Sequence, residues 1–168
     1  MKVFNVHERW LETSMESAGA LIDGLSGPDD RLWPGDRWPK MAFDGPLAPG
    51  SKGGHGPVRY RVREYRPGRK AAFDFEKHGL TRGLAGGHSF ELRPGDGGVW
   101  LRHVIEADCR FGSWLHWRLL IRPLHDALLE DALDNAENIA GRPPARPARW
   151  GLWVRLLRWI IARGARGA

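Results

Sequence analysis

The sequence predicts a single α+β domain in which antiparallel strands precede a long C-terminal helix. Apolar and polar residues alternate in two hairpins between residues 58 and 107, and apolar residues recur at helical spacing over 123–140. A chain of 168 residues is long enough for one core and too short to expect two. Its hydrophobic content of 42% and charged content of 27% are those of an ordinary soluble protein.

The N-terminal third predicts a strand, a helix and irregular structure. Residues 2–11 form the strand, and residues 13–25 form the helix, with Ser14 as its N-cap. Residues 26–40 are rich in Pro, Gly and Asp and predict irregular structure before a short strand at 41–43.

A glycine-rich stretch, "GSKGGHG" at residues 50–56, invites comparison with a phosphate-binding loop. It lacks the strand before it and the helix after it that such loops need, and a strand follows it instead. We expect a flexible loop here, which could gate a cavity.

The first hairpin joins "VRYRVREY" to "KAAFDFEK" through the turn "RPGR". If Arg66 faces Arg69 across this turn, facing residue numbers sum to 135. This register places Arg61 opposite Asp74 on one face. It pairs apolar residues on the other face, Val62 with Phe73 and Tyr60 with Phe75, as stable cross-strand neighbours require.

The second hairpin carries a histidine on the apolar face of each strand. His88 shares its face with Phe90 and Leu92, and His103 shares its face with Leu101 and other apolar residues. Two registers are open, with sums of 191 and 193. The first sets His88 opposite His103, and the second sets His103 opposite Phe90. Both keep the two imidazoles on the apolar face, because a shift of two residues preserves strand parity.

The C-terminal part predicts a helical region, a linker and a tail. Helical spacing runs over residues 113–140, and Pro123 starts or kinks the main helix. We expect a domain at 1–141, a stiff Pro/Arg-rich linker at 142–149 and a basic amphipathic tail at 150–168.

This order of elements resembles the helix-grip fold of the SRPBCC superfamily, which includes START-like and polyketide cyclase/dehydrase-like proteins. The resemblance covers residues 2–141 and rests on texture such as "GPVRYRVREYRPGRKAAFDF", "GGHSFELRP", "LRHVIEA" and "RPLHDALLEDALDNAEN". It implies a curved antiparallel sheet wrapped around the long C-terminal helix, with an internal cavity between them. The matching sequences are bacterial members of unassigned function.

The resemblance also implies a hydrophobic small-molecule ligand such as a lipid, a sterol or a polyketide, with no cofactor. Members of the superfamily include binders, carriers and enzymes. The inward-facing positions then line the ligand site: Tyr60, Val62, Phe73, Phe75, His88, Phe90, Leu101, His103 and, at the mouth, Trp117. The leading hypothesis is a binder or carrier. The alternative is a polyketide cyclase or dehydratase-like enzyme.

His88 and His103 are the candidate catalytic residues, since an imidazole titrates near neutral pH and can act as acid or base. The alternative is a structural role, in which the two histidines are semi-buried in the core and hydrogen-bonded to each other, to Tyr60 or to water. No HxH or HExxH spacing occurs among the seven histidines, and no third ligand for a metal is visible on the apolar face, so no metal site is expected.

The positive charge of the chain is concentrated in its tail. The net charge is +6, and the stretch from Arg142 onward contains seven arginines and no acidic residue. Subtracting these seven from the 26 basic residues leaves 19 against 20 acidic residues, so the body is nearly neutral and a nucleic-acid partner is not expected. The first residues lack an apolar run of signal-peptide length, which favours a cytoplasmic location.

On a helical wheel the tail separates arginines from apolar residues. Arg155, Arg158, Arg163 and Arg166 occupy one half, and apolar residues including Trp150 and Trp153 occupy the other, with Trp159 at the boundary. Such a helix suits an anionic membrane surface, at the inner face of the membrane, as a recruited accessory domain. The alternatives are docking on the domain and self-association.

Overall fold

The computed structural model of the chain describes residues 1–164. It contains one seven-stranded antiparallel sheet, a short helix between the first two strands, and a C-terminal series of helices. The predicted α+β class is confirmed, with a curved sheet and a long C-terminal helix against its inner face.

The strands occur in the sheet in the order β1-β7-β6-β5-β4-β3-β2. Their bounds are β1 Lys2–Leu11, β2 Met41–Phe43, β3 Lys52–His55, β4 Val58–Arg66, β5 Lys70–Phe75, β6 Leu84–Gly95 and β7 Gly98–Cys109. The first strand therefore pairs with the last, and this pairing sets His7 opposite His103.

The first hairpin has the predicted register over part of its length. Tyr60 pairs with Phe75 and Val62 with Phe73, as a sum of 135 requires. The turn is one residue longer than expected, because Arg66 pairs with Lys70, and an irregularity between Val62 and Glu64 absorbs the extra residue.

The second hairpin adopts the tighter of its two registers. His103 pairs with Phe90, and His88 pairs with Ile105. The arrangement with His88 directly opposite His103 is therefore not the one formed.

The prediction of a flexible loop at residues 50–56 is wrong for its central residues, because Lys52–His55 form strand β3. Strand β3 lies between β2 and β4, and Gly54 has a φ of 155°. A Cβ at Gly53 would lie 2.1 Å from the carbonyl oxygen of Ala42, and one at Gly54 would lie 1.9 Å from that of Val58. The two glycines permit this close pairing.

Helix α1 spans Met15–Asp23 and packs close to the β4–β5 turn. The hydroxyl of Ser14 accepts a hydrogen bond from the backbone N–H of Ser17 at 3.0 Å, as expected of an N-cap. A Cβ on Gly19 would lie 2.7 Å from the Cα of Gly68, so α1 needs a glycine where it approaches the turn.

The C-terminal helices begin directly after β7. Helix α2 (Phe111–His116) continues through a π-helical segment (Trp117–Ile121) into α3 (Arg122–Ile139), which carries Pro123 in its first turn. Residues 142–151 contain no helix or strand, and α4 (Leu152–Gly164) follows. Of the helices in residues 1–164, none has the length and hydropathy that crossing a bilayer requires.

Candidate functional site

The residues expected to line a cavity meet on the inner face of the sheet, where they fill the space. Tyr60, Phe73, Phe90 and Leu101 have no exposed surface, and Val62 is 1% exposed. The first four side chains are in contact with no space large enough for a water molecule. The expected cavity is therefore closed at these side chains.

The interior contains two apolar clusters. The larger joins the inner face of the sheet to α1 and α3, and the smaller packs Val3, Leu84, Ile105 and Ala107 around Trp117. Phe75 is half-buried and touches both clusters. Trp117, the first residue of the π-helical segment, belongs to the smaller cluster, against which the predicted wall residue Phe75 also packs.

His88 and His103 are buried and in contact, although they are not directly opposite each other. They lie diagonally across β6 and β7, with Nδ1 of His88 3.1 Å from Nε2 of His103. Burial lowers the pKa of both imidazoles well below the usual value, and neighbouring histidines, His125 foremost, lower it further. The pair is therefore neutral at neutral pH, with one ring donating to the other.

Two further histidines extend this pair to the edge of the sheet, and the sequence reasoning missed both. The ring centroid of His125, from α3, lies 5.0 Å from that of His103 and 6.0 Å from that of His7, from β1. Each had a signal: His125 precedes the buried Leu128 and Leu129 at helical spacing, and His7 shares its strand parity with the buried Val3 and Leu11.

These four histidines form a row, and its outer end, at His7 on the edge of the sheet, is charged. Nδ1 of His7 lies 2.8 Å from the carboxylate of Glu130, and Nε2 lies 3.0 Å from that of Asp126. Burial alone would lower the pKa of His7. Hydrogen bonds and charge from Asp126 and Glu130 outweigh it and raise the pKa from 6.5 to about 9. His7 is therefore an imidazolium held between two carboxylates.

The inner end of the row is aromatic and apolar. The ring of Tyr60 lies edge-on to His88, with centroids 4.7 Å apart, and 5.9 Å from His55. Sequence reasoning placed His55 in a loop and gave it no role. Burial, followed by charge from His125 and Arg59, lowers the pKa of His55 from 6.5 to about 3. We refer to His7, His125, His103, His88, Tyr60 and His55 as the imidazole row.

Three polar side-chain atoms of this row are buried without a hydrogen-bond partner among residues 1–164. They are the hydroxyl oxygen of Tyr60, Nδ1 of His103 and Nδ1 of His125. Nδ1 of His125 is 3.8 Å from the carboxylate of Asp126, which is too long for a hydrogen bond. His103 is unsatisfied in either tautomer, because its Nε2 already bonds to His88 and its Nδ1 must be an orphaned donor or acceptor.

His7, His125 and Asp126 also offer three possible metal ligands, which the sequence reasoning did not foresee. One ligand atom from each lies within 4.8 Å of the others. Both nitrogens of His7 are already hydrogen-bonded to carboxylates, and a metal would have to displace its bound proton. The charged network accounts for His7 and Asp126 without an ion.

A surface cleft of about 530 Å³ lies away from the imidazole row. It is lined by the irregular segment before β2 and by the end of α3, including Asp30, Trp33, Lys40 and Asn135. None of the residues predicted to bind ligand lines this cleft.

The tail contacts the domain through part of its surface. The indole N–H groups of Trp38 and Trp150 both donate to the buried carboxylate of Asp131, at 2.7 and 2.9 Å. The Arg158 guanidinium lies over both indole rings, 4.2 and 4.1 Å from their centroids. Thus Trp150 and Arg158 face the domain, as the docking alternative expects.

Other tail residues remain on the surface. Trp153 and Trp159 are about half exposed, and Arg155 is exposed. Arg166, which the helical wheel places among the arginines, lies outside the described residues.

Comparison with known proteins shows the fold of the chain. No protein-family model matches the sequence, and no curated protein matches it. Similar solved structures include norcoclaurine synthase from Thalictrum flavum in complex with dopamine and hydroxybenzaldehyde, at 14% identity and a TM-score of 0.64. The match covers 86% of this chain and 90% of that one.

Two bacterial structures are similar to a comparable degree. A protein from Thermobifida fusca has a TM-score of 0.61 at 14% identity, with 86% of this chain and 98% of that chain covered. CalU16 from Micromonospora echinospora has a TM-score of 0.57 at 13% identity, with 97% and 83% covered. These likenesses show a helix-grip fold.

Proposed function

We propose that the protein binds a small hydrophobic molecule between the sheet and α3, and that the imidazole row fixes a polar group of that molecule. Membership of the SRPBCC superfamily is part of the same proposal. The ligand would have an apolar body and a carbonyl or hydroxyl group, as in a lipid, a sterol or a polyketide. The predicted residues from Tyr60 to His103 would line its site once the interior opens.

The observation that carries the proposal is that three buried polar atoms, on Tyr60, His103 and His125, have no hydrogen-bond partner among the described residues. A buried polar group without a hydrogen bond costs about 1–3 kcal/mol. For Tyr60, His103 and His125 together the cost is about 3–9 kcal/mol, which rivals the whole stability of an ordinary domain. A ligand whose polar group bonds to these atoms removes that cost.

Ligand entry requires movement, because the interior is closed at the wall residues. The cover over the smaller apolar cluster is α2 and the π-helical segment, anchored by the buried ring of Trp117. The π-helical turns found in proteins are often at functional sites. This segment is the place where we expect the interior to open.

The norcoclaurine synthase structure is a complex with two small aromatic molecules that carry polar groups. It supplies a precedent for the fold, and the ligand class proposed here rests on the imidazole row.

Native mass spectrometry of the purified full chain, followed by thermal-shift measurements with a panel of lipids, sterols and polyketides, tests the proposal. We expect a co-purified adduct or a stabilising ligand, with affinity reduced about tenfold in Tyr60→Phe and in His103→Leu, since each loses one hydrogen bond. Leu101→Met is the matched control, which changes the wall but no polar atom. An adduct-free protein that no ligand in the panel stabilises would refute the proposal.

A second candidate function is catalysis of a cyclase or dehydratase type. It is favoured by the 3.1 Å contact of His88 with His103, which places two neutral imidazoles where one can take a proton beside a ligand carbonyl and the other can stabilise the charge. Here His88→Ala or His103→Ala should abolish turnover of a ligand that still binds. Unchanged turnover in both variants would exclude this role.

A third proposal concerns location and the tail: we propose that the protein is cytoplasmic and that the tail recruits it to the inner face of an anionic membrane, or to a second copy of the chain. Supporting it, Trp153, Arg155 and Trp159 remain on the surface although Trp150 and Arg158 are docked.

A further inference from the structure

Two neighbouring helical segments expose large apolar side chains. Leu152 on α4 is 85% exposed, and Phe111 on α2 is 67% exposed. We call the set on α2, the π-helical segment and α4 the apolar surface: Phe111, Leu115, Leu119, Leu152, Trp153, Leu156, Trp159 and Ile160, each at least 40% exposed. Monomeric soluble proteins rarely expose so many large apolar residues together.

The two segments form one surface because they are in contact. The indole N–H of Trp153 donates to the backbone carbonyl of Leu119 at 2.8 Å. Helix α4 packs on the domain through Val154 and Leu157, which are 8% and 5% exposed. At 100° per residue, Leu152 and Leu156 lie away from these two residues, and Ile160 lies beside Leu157. All three remain at least 44% exposed, so docking does not cover them.

The surroundings of the apolar surface are basic. Residues 110–122 contain three arginines and residues 142–163 contain six, and neither stretch contains an acidic residue. Arg110, Arg118, Arg155 and Arg163 are exposed. Apolar side chains beside arginines, with indoles at the boundary, match the interface of an anionic bilayer.

We infer that this composite surface lies in the headgroup layer of an anionic membrane, with α2 contributing as well as α4. The inference deepens the tail proposal and does not depend on the interior ligand. A second copy fits less well, because a two-fold contact through the same surface would set arginines against arginines with no acidic residue in either segment to pair them. The π-helical segment belongs to this surface, and the ring of its Trp117 lies 6.1 Å from that of His125 in the imidazole row.

Sedimentation of the purified full chain with vesicles tests this inference. Phosphatidylcholine vesicles are compared with vesicles containing equal amounts of phosphatidylcholine and phosphatidylglycerol. We expect binding to the anionic vesicles only, weakened by added salt. Leu119→Glu and Leu152→Glu should each reduce it at least tenfold. Arg155→Gln combined with Arg163→Gln should reduce it about twenty-five-fold, or about fivefold per arginine.

Phe4→Glu is the matched control, since Phe4 is 68% exposed on β1 and belongs to neither segment, and it should leave binding unchanged. If Leu152→Glu abolishes binding while Leu119→Glu does not, the tail proposal stands and the composite surface is wrong. If the wild type ignores anionic vesicles, both are wrong. A dimer that Leu152→Glu dissociates, without vesicle binding, would identify the second copy as the occupant and overturn the inference.

Discussion

Replacing Tyr60 by phenylalanine should stabilise the free protein, contrary to the usual effect of changing a fully buried residue. The Tyr60 ring has no exposed surface, and its hydroxyl has no hydrogen-bond partner among the described residues. An unpaired buried hydroxyl costs about 1–3 kcal/mol, and phenylalanine keeps the ring contacts with Phe73 and His88. After allowance for the small void that the hydroxyl leaves, we expect a gain of about 1 kcal/mol.

Urea unfolding at neutral pH measures this gain, and Tyr65→Phe is its matched control. The Tyr65 hydroxyl donates to the carboxylate of Asp23 at 2.8 Å, so its removal should cost about 0.5–1.5 kcal/mol. The two substitutions remove the same atom, and the predicted effects have opposite signs. If Tyr60→Phe is destabilised as much as Tyr65→Phe, the Tyr60 hydroxyl has a structural partner in solution and the argument for a ligand loses its main support.

Three further predictions concern charge. The pKa values of His55, His88 and His103 are lowered in the fold, chiefly by burial, so the stability tied to each is complete above pH 6.5 and lost below it. The free energy of unfolding, measured with urea, should fall by about 1.4 kcal/mol per pH unit for each of the three as the pH falls below about 6.5. His7 has the opposite sign, since its pKa is raised to about 9: its contribution is complete below pH 6.5 and about 3 kcal/mol is lost by pH 9, a loss that His7→Gln should not show. Finally, Asp131→Ala removes the buried carboxylate that pairs with Arg37 and accepts hydrogen bonds from the indole N–H groups of Trp38 and Trp150. It should cost about 3–5 kcal/mol, with faster proteolysis of the linker before α4 as the second readout.

Sequence patterns predicted the strands well because strand parity is set locally. The pairs Val62–Phe73 and Tyr60–Phe75 follow from matching apolar faces, and they form as expected. The turn at Arg66 differs by one residue, which alternation cannot detect because a bulge restores the register beyond it. Strand β3 was missed because Gly53 and Gly54 carry no side chains and therefore no alternation.

The candidate site was predicted only in part because its residues come from elements whose pairing is non-local. His88 and His103 belong to one hairpin, and their shared face could be derived from parity. His7 joins them because β1 pairs with β7, and His125 joins them because α3 crosses the inner face; neither relation follows from local spacing. The closure of the interior also depends on how whole side chains fill a volume, which a periodic pattern does not specify.

The imidazole row and the apolar surface are both unfavourable in the isolated chain, one because polar atoms are buried and the other because apolar atoms are exposed. Folding favours polar groups that are paired or in water and apolar groups that are buried. Here His103 and Tyr60 bury unpaired polar atoms, while Leu152 and Phe111 expose apolar ones. Each arrangement raises the free energy of the isolated chain, and each is relieved by a partner of complementary chemistry: a polar group on an apolar ligand inside, and an anionic apolar layer outside. The π-helical segment joins the two, because its Leu119 is part of the apolar surface and the ring of its Trp117 lies 6.1 Å from that of His125.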